Sequence, residues 1–234
     1  MQFVWFYITG PDNGFELRKS ILSVQRNVPG DHKITVIGEK PAWYEGHHLK
    51  VAPIRMRVPT GHLPFRDTQN KLVHATNSPE IDDSFIWMMD DVYFLKQTTV
   101  DEICRPIFDP WYKVNTKTIW HQLIRITFAA LQKHGRSNLQ YATHLPHFFE
   151  KEKLREMFAM YEYPKTLLLF ENLYRNHFEN PEQAVPYTGF LRRLLVPMPI
   201  NGLHAITENV LNYQSKCYTP QMKSFLEQKF SEDE

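Results

Sequence analysis

The sequence predicts an α/β fold: a Rossmann-like, mixed but mostly parallel sheet flanked by helices, with a helical C-terminal part. Three observations carry this. Residues 3–8 (FVWFYI) are apolar throughout, as a central parallel strand buried on both faces must be, and run into the turn-rich Gly10-Pro11-Asp12-Asn13-Gly14. Phe15 to Asn27 places Phe15, Leu17, Ile21, Leu22 and Val24 at helical spacing, and Lys33–Gly38 (KITVIG) then reads as a second strand, which makes a β-turn-α-β opening. Ser84–Met89 (SFIWMM) is a third buried strand, and it ends in Asp90-Asp91.

The remaining elements follow from pattern and punctuation. Asn13 is the expected cap of the first helix, and Pro29-Gly30 its stop. Residues 39–50 read as loop, Val51–Ile54 as a short strand and 55–64 (RMRVPTGHLP) as an ordered basic loop. A helix is expected from Arg66 to Asn77, and Val92–Leu95 continues apolar. Residues 113–135 read as mainly helical with Gly135 as the stop, 150–161 as a helix, and Lys165–Tyr174 as helical. Three prolines make Pro186–Ile200 extended, whereas Thr219-Pro220 opens a last helix to residue 230 with a threonine cap and proline at the first turn. The 234 residues fit one domain, read as a first half of residues 1–110 and a second of 111–234.

Bulk composition excludes several classes. A net charge of +1 gives no large field pointing to nucleic acid or an anionic membrane, a weak argument against non-specific DNA binding that leaves a local basic groove open. Cys104 and Cys217 lie in no CxxC pair, so neither a disulfide framework nor a cysteine metal cluster is expected, and a reducing compartment fits. The apolar start lacks a basic n-region and a cleavage site, and no apolar run approaches the roughly 18–20 residues of a membrane span. The expectation is a cytoplasmic protein without a transmembrane segment.

The sharpest chemical signal is FIWMMDDVYF, Phe85 to Phe94. An apolar strand delivers two adjacent carboxylates at its C-terminal end, the edge where open α/β sheets bind ligands. Such acids are costly unless they are solvated, paired or bound to a cation, and Mg²⁺ or Mn²⁺ typically takes one or two carboxylates plus substrate phosphates. A solvated turn is the alternative. His144, in Thr143-His144-Leu145-Pro146-His147, is a candidate metal ligand, acid/base or structural histidine. Asp67, Asn70 and Lys71 share one helix face that would grip a phosphate, ribose or sugar hydroxyl, or simply be wet. Arg18 is a candidate phosphate ligand. Arg55, Arg57, Arg192 and Arg193 are the other basic clusters.

Taken in order, these motifs resemble a known family. The segment NGFELRKSILSVQRNV followed by KITVIGE, then LPFRDTQNKLVHA, then WMMDDVYF, then His144-Leu145-Pro146 is similar to the ordered motifs of the Stealth-type capsular polysaccharide transferases, over roughly residues 3–160. The architecture is also similar to the wider GT-A glycosyltransferases, with the acid pair as a DxD-like motif. The resemblance implies that Asp91 binds a divalent metal, Mn²⁺ or Mg²⁺, and that Asp90 binds the metal, the donor sugar or its ribose. By the same resemblance His144 completes the metal or diphosphate site. Thr9, Gly10, Arg18, Arg66, Asp67, Asn70 and Lys71 would hold the donor.

The expected function is therefore transfer of a sugar from a nucleoside-diphosphate sugar, a UDP-sugar being favoured, to an acceptor hydroxyl, in a bacterial or phage-infected cell. An inverting enzyme needs a carboxylate base, for which Glu171 and Asp109 are candidates. The acceptor is a glycan or a hydroxylated base in duplex DNA, the latter motivated by Trp43, Tyr44, Trp111 and Tyr112 as stacking groups beside the arginines. The opening strand and Met89 depart from the Stealth pattern, which favours simple glycosyl transfer over the sugar-1-phosphate transfer of that family. A non-catalytic sugar-nucleotide-binding module is the alternative from another class.

Overall fold

The computed structural model describes residues 1–10, 12–54, 63–113 and 118–231. Its main sheet has five strands: β1 (Gln2–Tyr7), β2 (Lys33–Gly38), β3 (His47–Lys50), β4 (Ser84–Met88) and β7 (His147–Glu150). Their spatial order is β3-β2-β1-β4-β7, parallel except for β7, which runs antiparallel to β4. Between β4 and β7 the chain forms β5 (Val92–Phe94), α3 (Val100–Cys104), β6 (Ile107–Phe108) and α4 (Ile119–Lys133). The helices α1 (Phe15–Asn27) and α2 (Leu63–Asn77) connect the parallel strands. Strand order thus reverses between β1 and β4, the crevice where doubly wound sheets bind ligands.

The apolar first strand is buried on both faces, because successive side chains point to opposite sides of the sheet. Phe3, Trp5 and Tyr7 pack with Leu17, Ile21 and Val24 of α1. Val4 packs on the other face with Leu72 and Ala75 of α2, together with α5 (Lys151–Met160) and α6 (Phe170–Phe178). The indole N–H of Trp5 donates to Ser20 Oγ at 3.0 Å, and Ser20 donates to the Val92 carbonyl at 2.6 Å, which ties α1 to the start of β5.

A second sheet of three strands sits beside the first. The second half of the chain supplies β8 (Val185–Pro186), β9 (Leu191–Leu194), α7 (Ile200–His204), β10 (Val210–Tyr213) and α8 (Pro220–Lys229). β10 pairs antiparallel with β5 and parallel with β9, while β6 and β8 form a parallel pair. The halves interleave: β7 completes the main sheet, and β5 joins the small one. The C-terminal part is accordingly helices around strands.

Three readings of the local sequence are corrected, and a fourth lies mostly outside the described residues. Gly14, not Asn13, caps α1; its φ of 76° is left-handed, and a Cβ there would lie 2.5 Å from Pro41. The third strand is His47–Lys50 rather than Val51–Ile54. As a half-buried edge strand it needs no apolar run, so hydropathy pointed one step too far along the chain. Helix α6 begins only at Phe170, after the extended segment that enters it through Leu169. The basic loop 55–64 lies mostly outside the described residues, and Arg55 and Arg57 with it.

Candidate active site

Asp90 and Asp91 occupy the turn that carries the chain from β4 of the main sheet to β5 of the small one, at the crevice where strand order reverses. Asn212 of β10 donates to the Asp91 carbonyl at 3.1 Å and fixes the turn from the other sheet. Both carboxyl groups are held above the ordinary aspartate range. Burial is the main cause for each, and Asp90 then raises Asp91 while Asp12 raises Asp90. Glu16, in the first turn of α1, is pushed up to about 7 by burial, against the Tyr213 hydroxyl that donates to it at 2.5 Å, with Asp90 and Asp12 adding to the rise. Carboxylates gathered around Asp90 therefore share an unbalanced negative field.

Two cavities meet at Asp90. The larger, of about 280 Å³, is lined by Asp90, Asp91, His144 and Glu171 among aromatic and aliphatic walls. The smaller, of about 130 Å³, lies at the end of β1, between Gly10, Asp12, Glu16, Asp90 and Tyr218. Tyr218 closes it by donating to Asp12 Oδ2 at 2.9 Å.

The larger cavity gathers polar groups that the protein leaves unpaired. His144 takes a left-handed φ of 58°, uncommon for a residue with a side chain, and its Nδ1 is buried without a hydrogen-bond partner. Burial, with Arg193 adding, lowers its pKa to about 4, so the imidazole is neutral at pH 7. Glu171, in the first turn of α6, has Oε2 buried and unpartnered, and burial pushes its carboxyl up to about 7. Unpaired polar groups inside a fold call for an explanation, and perturbed carboxyls in a cleft mark functional candidates.

The other expected donor ligands are dispersed. Gly10 lines the small cavity and its N donates to the Tyr7 hydroxyl at 3.4 Å, while the N of neighbouring Thr9 donates to Glu39 Oε2 at 2.8 Å. Arg18 lies 5.3 Å over the Trp43 ring and lines a separate groove with Ile21 and Tyr44, away from the acid pair. Arg66 is anchored to Gln69 Oε1 at 3.0 Å and to the Pro164 carbonyl at 2.8 Å. Asp67 and Lys71 form an ion pair inside the protein, 2% and 1% exposed, so their face of α2 is not wet. Asp67 also accepts from Ile54 N at 2.9 Å, while Asn70 is only half-buried on the same helix. Gly38, with φ 118°, makes room for Lys71, since a Cβ would lie 2.6 Å from its Cε and 2.3 Å from the Tyr7 carbonyl. From there Lys71 exerts a coulombic pull on Asp90. Removing one partner of a buried pair strands the other charge. Lys71→Met is expected to cost about 3–5 kcal/mol in urea unfolding, and adding Asp67→Asn to recover much of it.

Sequence reasoning singled out Arg192-Arg193 only as a pair. In β9 the two alternate faces: exposed Arg192 pairs with Glu208 at 3.7 Å. Arg193 turns inward, and its field reaches Asp109, Tyr187 and Asp91. The period of two in a strand was the available signal. Phe65, Trp87 and Trp120, which wall the larger cavity, carried no signal of their own.

Among the described residues no three His, Cys, Asp or Glu side chains converge closely enough to hold a metal ion by themselves. Asp91, Asp90 and the neutral His144 fit a hard divalent cation only if a ligand supplies further oxygens, which is how Mg²⁺ is usually bound beside substrate phosphates. Among the described residues no helix is long and apolar enough to cross a membrane.

The fold is a Rossmann-like α/β fold that this chain shares with a known sugar transferase. A structure of the galactosyltransferase LgtC in complex with donor and acceptor sugar analogues matches with a TM-score of 0.54 at 12% identity, over 99% of this chain and 96% of that one. An active-site mutant of LgtC matches to the same extent. The apo structure of the bifunctional glycosyltransferase WbbM matches with a TM-score of 0.51 at 8% identity, over 99% of this chain and 50% of WbbM. No family profile and no curated protein matches the sequence.

Proposed function

We propose that this protein is a GT-A-like glycosyltransferase that moves a sugar from a nucleoside-diphosphate sugar, a UDP-sugar being favoured, to an acceptor hydroxyl on a glycan. The observation that carries the reading is the acid pair at the strand-order reversal, lying where two cavities meet. The LgtC-like fold is consistent with it. Asp91 and Asp90, with His144, would hold Mn²⁺ or Mg²⁺ together with diphosphate oxygens. When bound, the cation neutralises charge on the departing diphosphate. Gly10, in the lining of the small cavity, with Thr9 beside it, would meet the donor, whereas Arg18 lines a separate groove. Glu171 is the proposed base: its carboxyl lines the acceptor-side cavity, and a pKa near 7 suits proton removal from an attacking hydroxyl.

A glycan acceptor is preferred to duplex DNA. The side chains offered for a DNA groove do not assemble one among the described residues: Arg192 is paired, Arg193 faces inward and Tyr44 is buried. Thermal unfolding against a panel of nucleoside diphosphates and their sugars, with and without Mn²⁺, tests the reading. A ligand at 100 times its Kd adds about 2.7 kcal/mol, roughly 5–11 °C for a chain of this size. A Mn²⁺-dependent shift with one nucleotide is the expected result, and no shift with any of them sinks the proposal. Release of free nucleoside diphosphate on turnover, rather than of the monophosphate, separates glycosyl transfer from sugar-1-phosphate transfer.

A further inference from the structure

The larger cavity is walled in an unusual way for a cleft that ends on two aspartates. Phe65 of α2 and Trp120 of α4 stack with ring centroids 5.7 Å apart and planes 24° apart, and Trp120 lies 5.9 Å from the His144 ring. Trp87 of β4 and Phe170 of α6 meet edge to face at 4.9 Å. Within this apolar frame three lining side chains each carry a buried polar atom with no partner: Trp87 Nε1, His144 Nδ1 and Glu171 Oε2. One is a donor, one a carboxyl oxygen, and one takes either role with its tautomer. A few unpaired polar groups set into aromatic walls are the make-up of a small-molecule site, in which orientation is read by hydrogen bonds.

We propose that this cavity is the acceptor subsite and that it binds a neutral pyranose, whose ring lies against the Trp120–Phe65 face and whose hydroxyls pair with Trp87 and Glu171. The proposal rests on the sugar-transfer reading for its place in the reaction, but the binding itself does not need a donor. Size supports one ring: about 280 Å³ is at the bottom of the roughly 300–1,000 Å³ range of ligand sites, too little for a nucleotide together with a sugar. Charge supports neutrality. The lining holds Asp90, Asp91 and Glu171 but no lysine or arginine among the described residues, so a uronate or phosphorylated sugar would meet three acids and no lining cation. Polarity supports a polyol over a plain aromatic ligand. A site with unpaired hydrogen-bonding groups rejects molecules that cannot pair them, by factors of about 10⁴–10⁵ where such groups are fully buried.

The test titrates the full chain with the methyl glycosides of glucose, galactose and mannose and of glucuronic acid, with no donor present. Tryptophan fluorescence and saturation-transfer NMR read the binding. Saturable binding of at least one neutral glycoside is expected, weakened at least tenfold in Trp120→Ala. That variant should also lose transfer to the acceptor. Phe65→Leu, a milder change, guards against a folding defect and should weaken binding in the same sense. The proposal is overturned if no neutral glycoside binds, if the glucuronide binds as well as the neutral sugars, if UDP displaces the glycoside, or if Trp120→Ala and Phe65→Leu leave binding unchanged. Glycoside binding without any nucleotide effect would leave the subsite standing and remove the transferase reading instead.

Discussion

Asp91→Asn is expected to slow turnover on the order of 10²–10³-fold and, at pH 8 without divalent cation, to melt above the wild type. The two effects have one cause. Burial and the neighbouring Asp90 hold the Asp91 carboxyl above its ordinary range. A carboxyl raised in the folded state contributes its stability below the unfolded pKa, near 3.9, and loses it as pH rises through the folded value. At pH 8, close to the value of about 8 to which Asp91 is raised, much of the wild type carries both acids ionised and repelling one another, and a neutral amide of the same shape relieves that. The gain should be roughly 3–5 °C or more, since one pKa step is about 1.4 kcal/mol. Mn²⁺ with nucleotide should raise the wild-type melting temperature at pH 8 and leave Asp91→Asn unmoved. Differential scanning calorimetry at pH 5 and pH 8, with and without Mn²⁺, reads all of this. A variant that melts lower at pH 8 and still turns over would make the acid pair a structural turn.

Stability spent on an acid pair sets this site apart from places where a buried charge is matched within one helix. Asp67 and Lys71 form a buried pair one helical turn apart, and buried Arg175 pairs with half-buried Glu179 four residues on. The acids near Asp90 have two cations acting on them, Lys71 on Asp90 and Arg193 on Asp91, and Lys71 is already committed to Asp67. A fold keeps such an imbalance where an incoming cation or proton supplies the missing charge.

The parts of this arrangement that could be read from sequence are those whose signal is local. The run FVWFYI, the helix that ends before Pro29-Gly30 and the strand SFIWM ending on two acids each carry their own period and punctuation, and all three lie where expected. The Thr219 cap accepts from Met222 N as its sequence predicts. What was illegible depends on distance along the chain. The strand His47–Lys50 reads as polar because it is a sheet edge. Asp67 and Lys71 have the spacing of a surface pair, and only the packing of α2 against the sheet buries them. Trp120 and Phe65 look like ordinary core positions on helices 55 residues apart, and their stacking beside the acid pair is a tertiary fact. Glu171 had no motif at all; its environment, not its neighbours in sequence, singles it out.

Glu171→Gln is expected to raise stability at high pH and to abolish transfer, and the two effects should share one titration. Glu171 is 8% exposed, its Oε2 has no partner, and burial lifts its pKa from 4.5 to about 7. Because the folded value is the higher one, the group costs nothing below about pH 4.5 and its full penalty above about pH 7. That penalty is about 3 kcal/mol, or roughly 6–12 °C in melting temperature. The wild type and Glu171→Gln should therefore melt together at pH 4 and diverge as pH rises towards 8, the variant being the more stable. The position at the start of α6 softens the cost, since a helix N-terminus favours a carboxylate, but only by about 0.3–1 kcal/mol at an exposed end. In the proposed role the carboxylate form accepts the proton of the acceptor hydroxyl, so wild-type kcat/KM should climb through pH 7 to a plateau. Glu171→Gln should lose both the climb and at least 10²-fold of the plateau rate. Donor hydrolysis without acceptor separates this from a damaged donor site, because it should persist in the variant. Melting curves that stay parallel across pH 4–8 would show that the carboxyl is not desolvated, and with that the base assignment would fall.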